Sequence, residues 1–415
     1  MSDPLIPITK KQALIFACFL VMYEFLTYIA NDMIMPGMVH VVQVFHAPES
    51  MVASSLTAYI LGGASLQIIL GPISDAHGRR PMMLLGACLF FVFTLFIACS
   101  NSMNQFMVAR FFQGMGLCFI AVIGYATIQE IFEEMDAIRL IAIMANAAIL
   151  APLLGPLLGA IVIHYTSWRY IFVSIALFAL ITLWGLWRFM PEPIGQLKRN
   201  GEITPKGKFS AHKVFKNYKV LFSNKVFCCA TFALSLLGVP CLAWIALSPI
   251  MLIVEAKLTV MQYALWQLPV FGATILGNWF LHTLTYKHSI KKIILLGCII
   301  MAIGQVLSFA LPYFYGNDYH YLMPGIIVYF FALSVVNAPL NRLCLYVTSV
   351  SKGTASALIS LSVMLMAALG TEAANYVYQQ HNNLHYGVYC IAVQALFFLC
   401  IGTTFLLNHD QDGIE

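Results

Sequence analysis

The sequence predicts an all-α membrane protein with twelve transmembrane helices in two six-helix bundles. Hydrophobic residues make up 61% of the chain and charged residues 9%, and the mean hydropathy is +0.85. Such a chain has too little polar surface for a soluble protein. Its apolar runs are continuous for about twenty residues, which fits membrane-spanning helices and excludes the alternating ten-residue strands of a membrane barrel.

Twelve apolar segments follow one another, six on each side of a polar connection. The predicted spans are 13–34, 52–73, 80–99, 102–128, 138–164, 168–190, 226–253, 260–284, 291–312, 319–343, 354–378 and 385–407. Similar halves suggest an internal duplication, an arrangement in which transporters place a site between two bundles. We therefore predict an N-terminal bundle over 1–190, a cytoplasmic linker over 191–224 and a C-terminal bundle over 225–415.

The basic residues predict the orientation. With both termini cytoplasmic, nineteen of the twenty-two Lys and Arg residues fall on the cytoplasmic side, whereas Arg169 and Lys257 fall outside and Arg110 lies within a span. Basic loops favour the cytoplasmic face of a membrane. The positive charge is thereby explained without a nucleic-acid partner.

The first span carries two acids, Glu24 and Asp32. Glu24 lies roughly 20 Å into a hydrocarbon layer of about 30 Å, and Asp32 lies near the far end of the span. A charge near the bilayer centre costs at least ~2.5 kcal/mol, so such a residue usually faces a partner or a watery cavity. The eight-residue spacing separates the acids by about 12 Å along the helix and about 80° around it. Asp32 alone also fits an interfacial cap or turn.

The linker begins with a stretch rich in Lys, Gly and Pro and ends in an amphipathic helix. The first part contains Lys198, Arg199, Gly201, Pro205, Lys206, Gly207 and Lys208. Helical spacing then places Val214, Phe215, Tyr218, Leu221 and Phe222 largely opposite Lys213, Lys216 and Lys219. This pattern predicts a helix that lies on the anionic inner leaflet as an anchor.

Spans two and three are joined by a glycine-rich loop with an aspartate beside a basic pair. Its candidate residues are Gly71, Asp75, Gly78, Arg79 and Arg80. Glycines permit a tight turn, and the charges offer an ion pair at the cytoplasmic face, so the loop could hold one conformation of a transporter. A plain positive-inside hairpin would explain the two arginines but not the glycines or the aspartate.

Span four carries Arg110 at a depth close to that of Glu24. A guanidinium keeps its proton and must find acceptors or water inside a bilayer. Arg110 is therefore either a cavity charge that tunes a nearby carboxylate or a structural anchor that binds backbone carbonyls. Glu130, near the cytoplasmic end, fits either a functional or a surface position.

Span five contains a proline-glycine pattern, Pro152, Gly155, Pro156 and Gly159. The glycines offer a small face for close helix packing, and the prolines remove two backbone donors and bend the helix. Many membrane helices contain these residues, so the pattern says little in isolation.

Several classes of chemistry have no sequence signal. The chain lacks a phosphate-binding loop for ATP and lacks the H-E-x-x-H and G-x-S-x-G motifs, so we expect no enzyme activity and no cofactor. The eleven cysteines lie mostly in apolar spans and read as small hydrophobes, and no metal site is predicted.

These residues resemble a known family. Twelve spans in two halves, the loop from Gly71 to Arg80 (motif A) and the proline-glycine pattern of span five (motif C) resemble the drug-proton antiporters of the major facilitator superfamily. Further stretches look like the MdfA-type multidrug antiporters of bacterial inner membranes, namely 23–25, 27–29, 31–34, 36–38, Arg110, 124–125, 128–130, 151–159 and 242–246.

The resemblance implies roles for individual residues. Glu24 and Asp32 would take part in proton exchange and drug recognition, with Arg110 modulating their protonation. Residues that would border the drug site are Tyr28, Asn31, Tyr125 and Met144. The basic residue that usually follows the motif A aspartate is Ala76 here.

We therefore predict a monomeric, proton-driven exporter of lipophilic cationic and neutral compounds in the bacterial inner membrane, in contact with its lipids. The same fold could instead serve one metabolite, such as a siderophore or a sugar. A third class is a non-transporting membrane receptor or enzyme, which would move no protons when substrate is added.

Overall fold

Helices make up most of the part of the chain that the computed structural model describes. The described residues are 3–199, 206, 211–348, 350, 352–379 and 381–412. They form two compact units. The first comprises Met1–Ala47 and Ala58–Ala211, and the second comprises Pro48–Thr57 and His212–Glu415.

The first half of the chain contains helices α1 to α9. Their bounds are α1 Lys10–Asp32, α2 Met38–Val44, α3 Met51–Ala64, α4 Leu70–His77, α5 Arg79–Ala98, α6 Met103–Phe119, α7 Tyr125–Ile131, α8 Glu134–Tyr165 and α9 Arg169–Phe189. In the first unit, α1 packs against α8 and α9, and α5 packs against α6 and α9. Helix α1 thus lies among helices that shield its polar residues from lipid.

The second half contains helices α10 to α17. Their bounds are α10 Ala211–Ser223, α11 Lys225–Leu237, α12 Val239–Pro249, α13 Val260–Thr285, α14 Ile290–Tyr315, α15 Tyr319–Tyr346, α16 Lys352–Tyr378 and α17 Asn383–Asp412. In this unit α15 packs against α13 and α14, α11 against α17, and α12 against α16.

Each predicted span coincides with helical structure, and ten helices within the described residues are long and apolar enough to cross a membrane. Two predicted spans are interrupted. Gly238 separates α11 from α12 in span seven, and span two contains a longer break. Helix α3 is a shorter apolar helix, and a turn at residues 65–69 separates it from α4. The prediction of one helix over 52–73 was therefore wrong, because hydropathy does not detect a local change in backbone conformation.

Two helices contain a turn of π-helix. Residues Ile120–Gly124 connect α6 to α7, and residues Ile250–Glu255 follow α12. A π turn adds one residue to a helical turn and is frequent at functional sites. It changes the direction in which every later side chain of the helix points.

The predicted linker is only partly described. Gly201, Pro205, Gly207 and Lys208 lie outside the described residues, as do the side chains of residues 211–214, which include Lys213 and Val214. Helix α10 covers the predicted amphipathic segment and buries Tyr218 and Leu221 while Phe215 and Phe222 stay exposed.

Helices α3 and α6 cross at backbone contact. A Cβ atom at Gly62 would lie 1.9 Å from the carbonyl oxygen of Phe111, and one at Gly114 would lie 2.0 Å from the carbonyl oxygen of Tyr59. Small residues permit such close approach of membrane helices. This crossing places the Tyr59 ring against α6.

The close crossing predicts that alanine has opposite effects on stability at two helical glycines. Gly402 lies in α17 with open space around the position of a Cβ atom, unlike Gly114. Alanine favours a helix over glycine by about 0.5–1 kcal/mol, whereas overpacking costs about 1–3 kcal/mol. We expect Gly402→Ala to keep or raise the melting temperature of the purified protein and Gly114→Ala to lower it. Equal melting temperatures would contradict the close crossing.

Candidate functional site

Glu24 is buried in the middle of α1. Its side chain is 1% exposed. The hydroxyl group of Tyr125 donates a hydrogen bond of 2.7 Å to Oε1, whereas Oε2 is buried with no hydrogen-bond partner among the described residues. Buried polar atoms are nearly always paired. The free oxygen is therefore available to a proton or to a polar group of a ligand.

Tyr125 reaches Glu24 because of the backbone before it. It is the first residue of α7, directly after the π turn that ends at Gly124. A regular α-helix through the same segment would point Tyr125 in a different direction. The Tyr125 ring is half-buried, so it borders the site without closing it.

Asp32 and Arg110 are connected through the side chain of Asn31. One guanidinium nitrogen of Arg110 donates to Asn31 Oδ1 at 2.6 Å, and Asn31 Nδ2 donates to Asp32 Oδ1 at 3.2 Å. No direct ion pair joins Arg110 to Asp32 or Glu24 within 4.0 Å in this described region. The amide thus separates the two charges while it orients both groups.

Arg110 is fully buried and has further partners. Its Nη1 atom donates to the Ala30 carbonyl oxygen at 3.3 Å and to Gln113 Oε1 at 2.8 Å, and the guanidinium lies 4.4 Å from the centre of the Tyr59 ring. Gln113 Nε2 in turn donates to Thr94 at 2.8 Å. Arg110 thus binds a backbone carbonyl and also approaches a carboxylate through an amide, a geometry compatible with both interpretations.

The remaining predicted binding residues differ in their accessibility. Tyr28 lies four residues from both Glu24 and Asp32, so it shares their side of α1, and it is 37% exposed. Met144, by contrast, has no exposed surface. Among the predicted binding residues, Tyr28 and Tyr125 therefore present aromatic surface next to the carboxylates, and Met144 does not in this conformation.

Helix α8 supports Asp32 through its glycines. A Cβ atom at Gly155 would lie 2.7 Å from Asp32 Cβ, and one at Gly159 would lie 1.9 Å from the carbonyl oxygen of Met33. Pro152 and Pro156 occupy positions within the same helix. The proline-glycine pattern therefore packs directly against the acidic end of α1. Its position in sequence gave no indication of this contact.

The structure corrects the predicted loop between spans two and three. Gly71 and Asp75 belong to helix α4, and Gly78 alone turns the chain into α5, with φ at +105°. Pro72 falls in the first turn of α4, where its missing N–H group removes no helical hydrogen bond. The prediction of a continuous loop was wrong because it treated Gly71 and Pro72 as turn residues.

Arg79 is the centre of an ion-pair cluster beside this turn. It contacts Asp75 at 2.7 Å, Glu130 at 2.8 and 3.2 Å, and the Ser74 hydroxyl at 2.5 Å. Two parallel bonds to one carboxylate make the Glu130 contact bidentate. Glu130 is thus paired with Arg79 and only 18% exposed, which argues against the surface position.

Glu192 is a residue that sequence reasoning missed. Its carboxylate accepts hydrogen bonds from the backbone N–H groups of Arg79 at 3.0 Å and Arg80 at 2.9 Å, and thus caps the N-terminus of α5. A Cβ atom at Gly78 would lie 2.5 Å from Glu192 Oε2, and the Arg80 side chain donates to the Trp187 carbonyl oxygen at 2.7 Å. The only sequence signal was an acid directly after a span that ends near a basic loop.

No group of three or more His, Cys, Asp or Glu side chains that could hold a metal ion occurs among the residues described above. In the second unit the Trp244 indole N–H donates to Gln267 Oε1 at 3.0 Å, and the Tyr329 hydroxyl donates to the Leu237 carbonyl oxygen at 2.6 Å. These aromatic residues are buried by their own unit.

Comparison with known sequences gives consistent matches over most of the chain. The family model of the Major Facilitator Superfamily matches residues 20–371. The protein named Multidrug transporter MdfA from Yersinia pestis bv. Antiqua is 43% identical over 380 residues, covering 91% of this chain and 91% of that protein. The protein of the same name from Escherichia coli O6:H1 is 40% identical over 396 residues, covering 95% and 94%.

Solved structures share the fold at much lower identity. An inward-facing, unoccupied bacterial homologue of the human lysosomal transporter Spinster has a TM-score of 0.73 and 14% identity, and the match covers 96% of this chain and 98% of that chain. The xylose transporter XylE of Escherichia coli has a TM-score of 0.71 and 17% identity, with 95% and 98% covered.

The Glu192 cap generates a prediction for stability. Glu192→Ala removes the acceptor of two backbone N–H groups, and loss of an N-terminal cap typically costs ~1 kcal/mol. We expect a lower melting temperature for this variant in detergent. The control is Glu133→Ala, since Glu133 is exposed and makes no capping hydrogen bond. A melting temperature equal to that of the control would show that the cap is dispensable.

Proposed function

The chain belongs to the Major Facilitator Superfamily, and from this premise we propose that it is a proton-driven multidrug efflux transporter. It would export lipophilic cationic and neutral compounds in exchange for protons. The relatives at 40% and 43% identity carry the name of multidrug transporters, which supports this substrate class.

The observation that carries the proposal is the environment of Glu24. An acid that is 1% exposed in the middle of a membrane helix has one oxygen bonded to Tyr125 and one without a partner among the described residues. A carboxyl group among apolar atoms favours its neutral form, whereas a nearby cation favours the ionised form. Such a group can hold either a proton or a cationic drug, but not both.

Asp32 would be the second proton-exchanging acid, and Arg110 would set the balance between its protonated and ionised forms. The Arg110 charge acts through Asn31 and not through a direct ion pair, so protonation of Asp32 need not break a salt bridge. A buried ion pair in direct contact would be difficult to protonate, because breaking it costs about 3–5 kcal/mol. The intervening amide of Asn31 supports a role for Arg110 in tuning the proton affinity of Asp32.

The transport cycle then follows from competition between protons and drug for the same carboxyl groups. With the site open outward, protonation of Glu24 or Asp32 would weaken the binding of a drug and release it. With the site open inward, proton loss would restore binding. Neutral drugs would compete through hydrogen bonds to the same carboxyl groups and through contact with the exposed ring of Tyr28.

Residues of motif A would stabilise one conformation of the cycle. The Arg79 cluster with Asp75 and Glu130, together with Gly71, Gly78 and Arg80, fixes the short connection between α4 and α5. Residues of motif C, Pro152, Gly155, Pro156 and Gly159, would keep α8 in contact with α1 as it moves.

The proposed setting is the bacterial inner membrane, with both termini cytoplasmic. The proposed domains are two bundles over 1–190 and 225–415 with a cytoplasmic linker over 191–224, in a monomeric protein. The distribution of basic residues supports this orientation.

Efflux assays would test the function itself. Cells that express the protein should exclude ethidium, tetraphenylphosphonium and chloramphenicol, and purified protein should release protons when these compounds are added. Because proton release requires a protonated acid, its amount should fall as pH rises. Export of none of the three compounds would favour a carrier dedicated to one metabolite.

Glu24→Gln separates the two roles of the acid. The amide keeps an oxygen that can accept the Tyr125 hydrogen bond but carries no charge. We expect export of tetraphenylphosphonium to fall at least about tenfold, a change of ~1.4 kcal/mol, while export of chloramphenicol is retained. The control is Glu133→Gln at an exposed position. Equal loss of both drugs would contradict a role in cation recognition.

Arg110→Ala tests the tuning role. Because a positive charge favours the ionised form of a nearby carboxyl group, its removal should shift drug-induced proton release to higher pH and reduce exchange at least about tenfold. Arg139→Ala, at a side chain 64% exposed, is the matched control. Unchanged exchange with an unchanged pH profile would remove Arg110 from the mechanism.

A further inference from the structure

A cavity of about 420 Å³ lies in the second unit. It is formed where the end of α10 meets α11, α16 and α17. The lining residues are Phe222, Phe227, Cys228, Cys229, Thr231, Phe232, Leu358, Ser362 and Cys400. This volume falls within the range of about 300–1,000 Å³ that is typical of small-molecule sites.

The cavity wall is apolar, with an unsatisfied donor inside it. Aromatic rings, thiols and Leu358 form most of the surface. Thr231 is 5% exposed, and its hydroxyl oxygen is buried with no hydrogen-bond partner among the described residues. A threonine in a helix commonly bonds to a carbonyl of the preceding turn. The occupant should therefore combine a long apolar portion with a hydrogen-bond acceptor.

Basic side chains flank the cavity at one end. Lys219 lies one helical turn before Phe222 on α10, and Lys225 begins α11 three residues before Cys228. Both lysines are exposed, as is Lys216. Positively charged side chains next to a membrane helix attract anionic headgroups.

The junction that forms this end is held in place. Asn224 caps α11 by accepting from the N–H group of Phe227 at 3.0 Å, and its amide donates to the Val347 carbonyl oxygen at 3.0 Å. The Cys228 thiol donates to the Phe222 carbonyl oxygen at 3.4 Å. Phe222 remains 66% exposed, which is unfavourable in water and suits the boundary between headgroups and acyl chains.

We propose that this cavity binds one acyl chain of an anionic phospholipid. The chain occupies the apolar space, the ester carbonyl accepts from Thr231, and the phosphate lies near Lys219 and Lys225. Thr231 follows Lys225 by six residues, hence by about 9 Å along the helix, a distance that the long lysine side chain and the glycerol backbone of a phospholipid can span together. The site is independent of the proposed drug site.

Native mass spectrometry of the whole protein tests the site. The protein is purified and delipidated, then incubated with phosphatidylglycerol. We expect the wild type to retain one phosphatidylglycerol molecule, and Ser362→Phe, which fills the cavity, to reduce its retention at least about tenfold. Leu399→Phe is the matched control, because Leu399 is 65% exposed on α17 outside the lining. Equal retention by both variants overturns the proposal.

Thiol protection provides a second readout that needs no variant. Cys229 and Cys400 line the cavity, whereas Cys18, Cys88 and Cys99 are exposed elsewhere. Peptide mapping after N-ethylmaleimide treatment should show slower modification of Cys229 and Cys400 when phosphatidylglycerol is present, with no change at the other three. Equal protection of all five thiols indicates general coating by lipid and overturns the proposal.

The headgroup is tested separately. Phosphatidylethanolamine should be retained less than phosphatidylglycerol by the wild type, and Lys219→Gln with Lys225→Gln should remove this difference. Free glycerol phosphate should give no thiol protection. If tetraphenylphosphonium protects Cys229 and Cys400 and phosphatidylglycerol does not, the cavity is a drug site and the lipid proposal fails.

Discussion

Charge inside a membrane must be solvated by the protein, and this constraint explains the arrangement around α1. Arg110 has its guanidinium distributed over a backbone carbonyl, two side-chain amides and the Tyr59 ring. The two acids differ from the arginine, since within the described part of the chain each accepts one side-chain hydrogen bond. The cation is fixed by its surroundings, whereas the acids keep the freedom to exchange partners.

Much of the fold was predictable because hydropathy records how long a segment stays in lipid. The order of the spans and the depth of Glu24 and Arg110 follow from that one property. The contacts that support them do not, because Tyr59 and Gly155 come from distant parts of the chain and carry no signal of their own. Glu192 was missed for the same reason, since an acid at the end of a span also fits an ordinary surface position.

The start of α4 and the pairing of Glu130 show two different limits of a reading based on sequence patterns. Glycine and proline at 71 and 72 were interpreted as a turn, but both are acceptable at the start of a helix. Glu130 remained ambiguous because its partner Arg79 lies 51 residues away. Local sequence describes what a residue tolerates, while the tertiary structure decides which of the permitted arrangements forms.

The π turn before Tyr125 has a consequence for how this protein tolerates insertions and deletions. Each residue of an α-helix advances the chain by about 100°, so loss of one residue between Ile120 and Gly124 would rotate all of α7 relative to α6. A substitution in this turn alters one contact. A change in length would move the Tyr125 hydroxyl group away from Glu24 and the Glu130 carboxylate away from Arg79. The contacts on both sides of this helix therefore depend on the number of residues in the π turn as well as on their types.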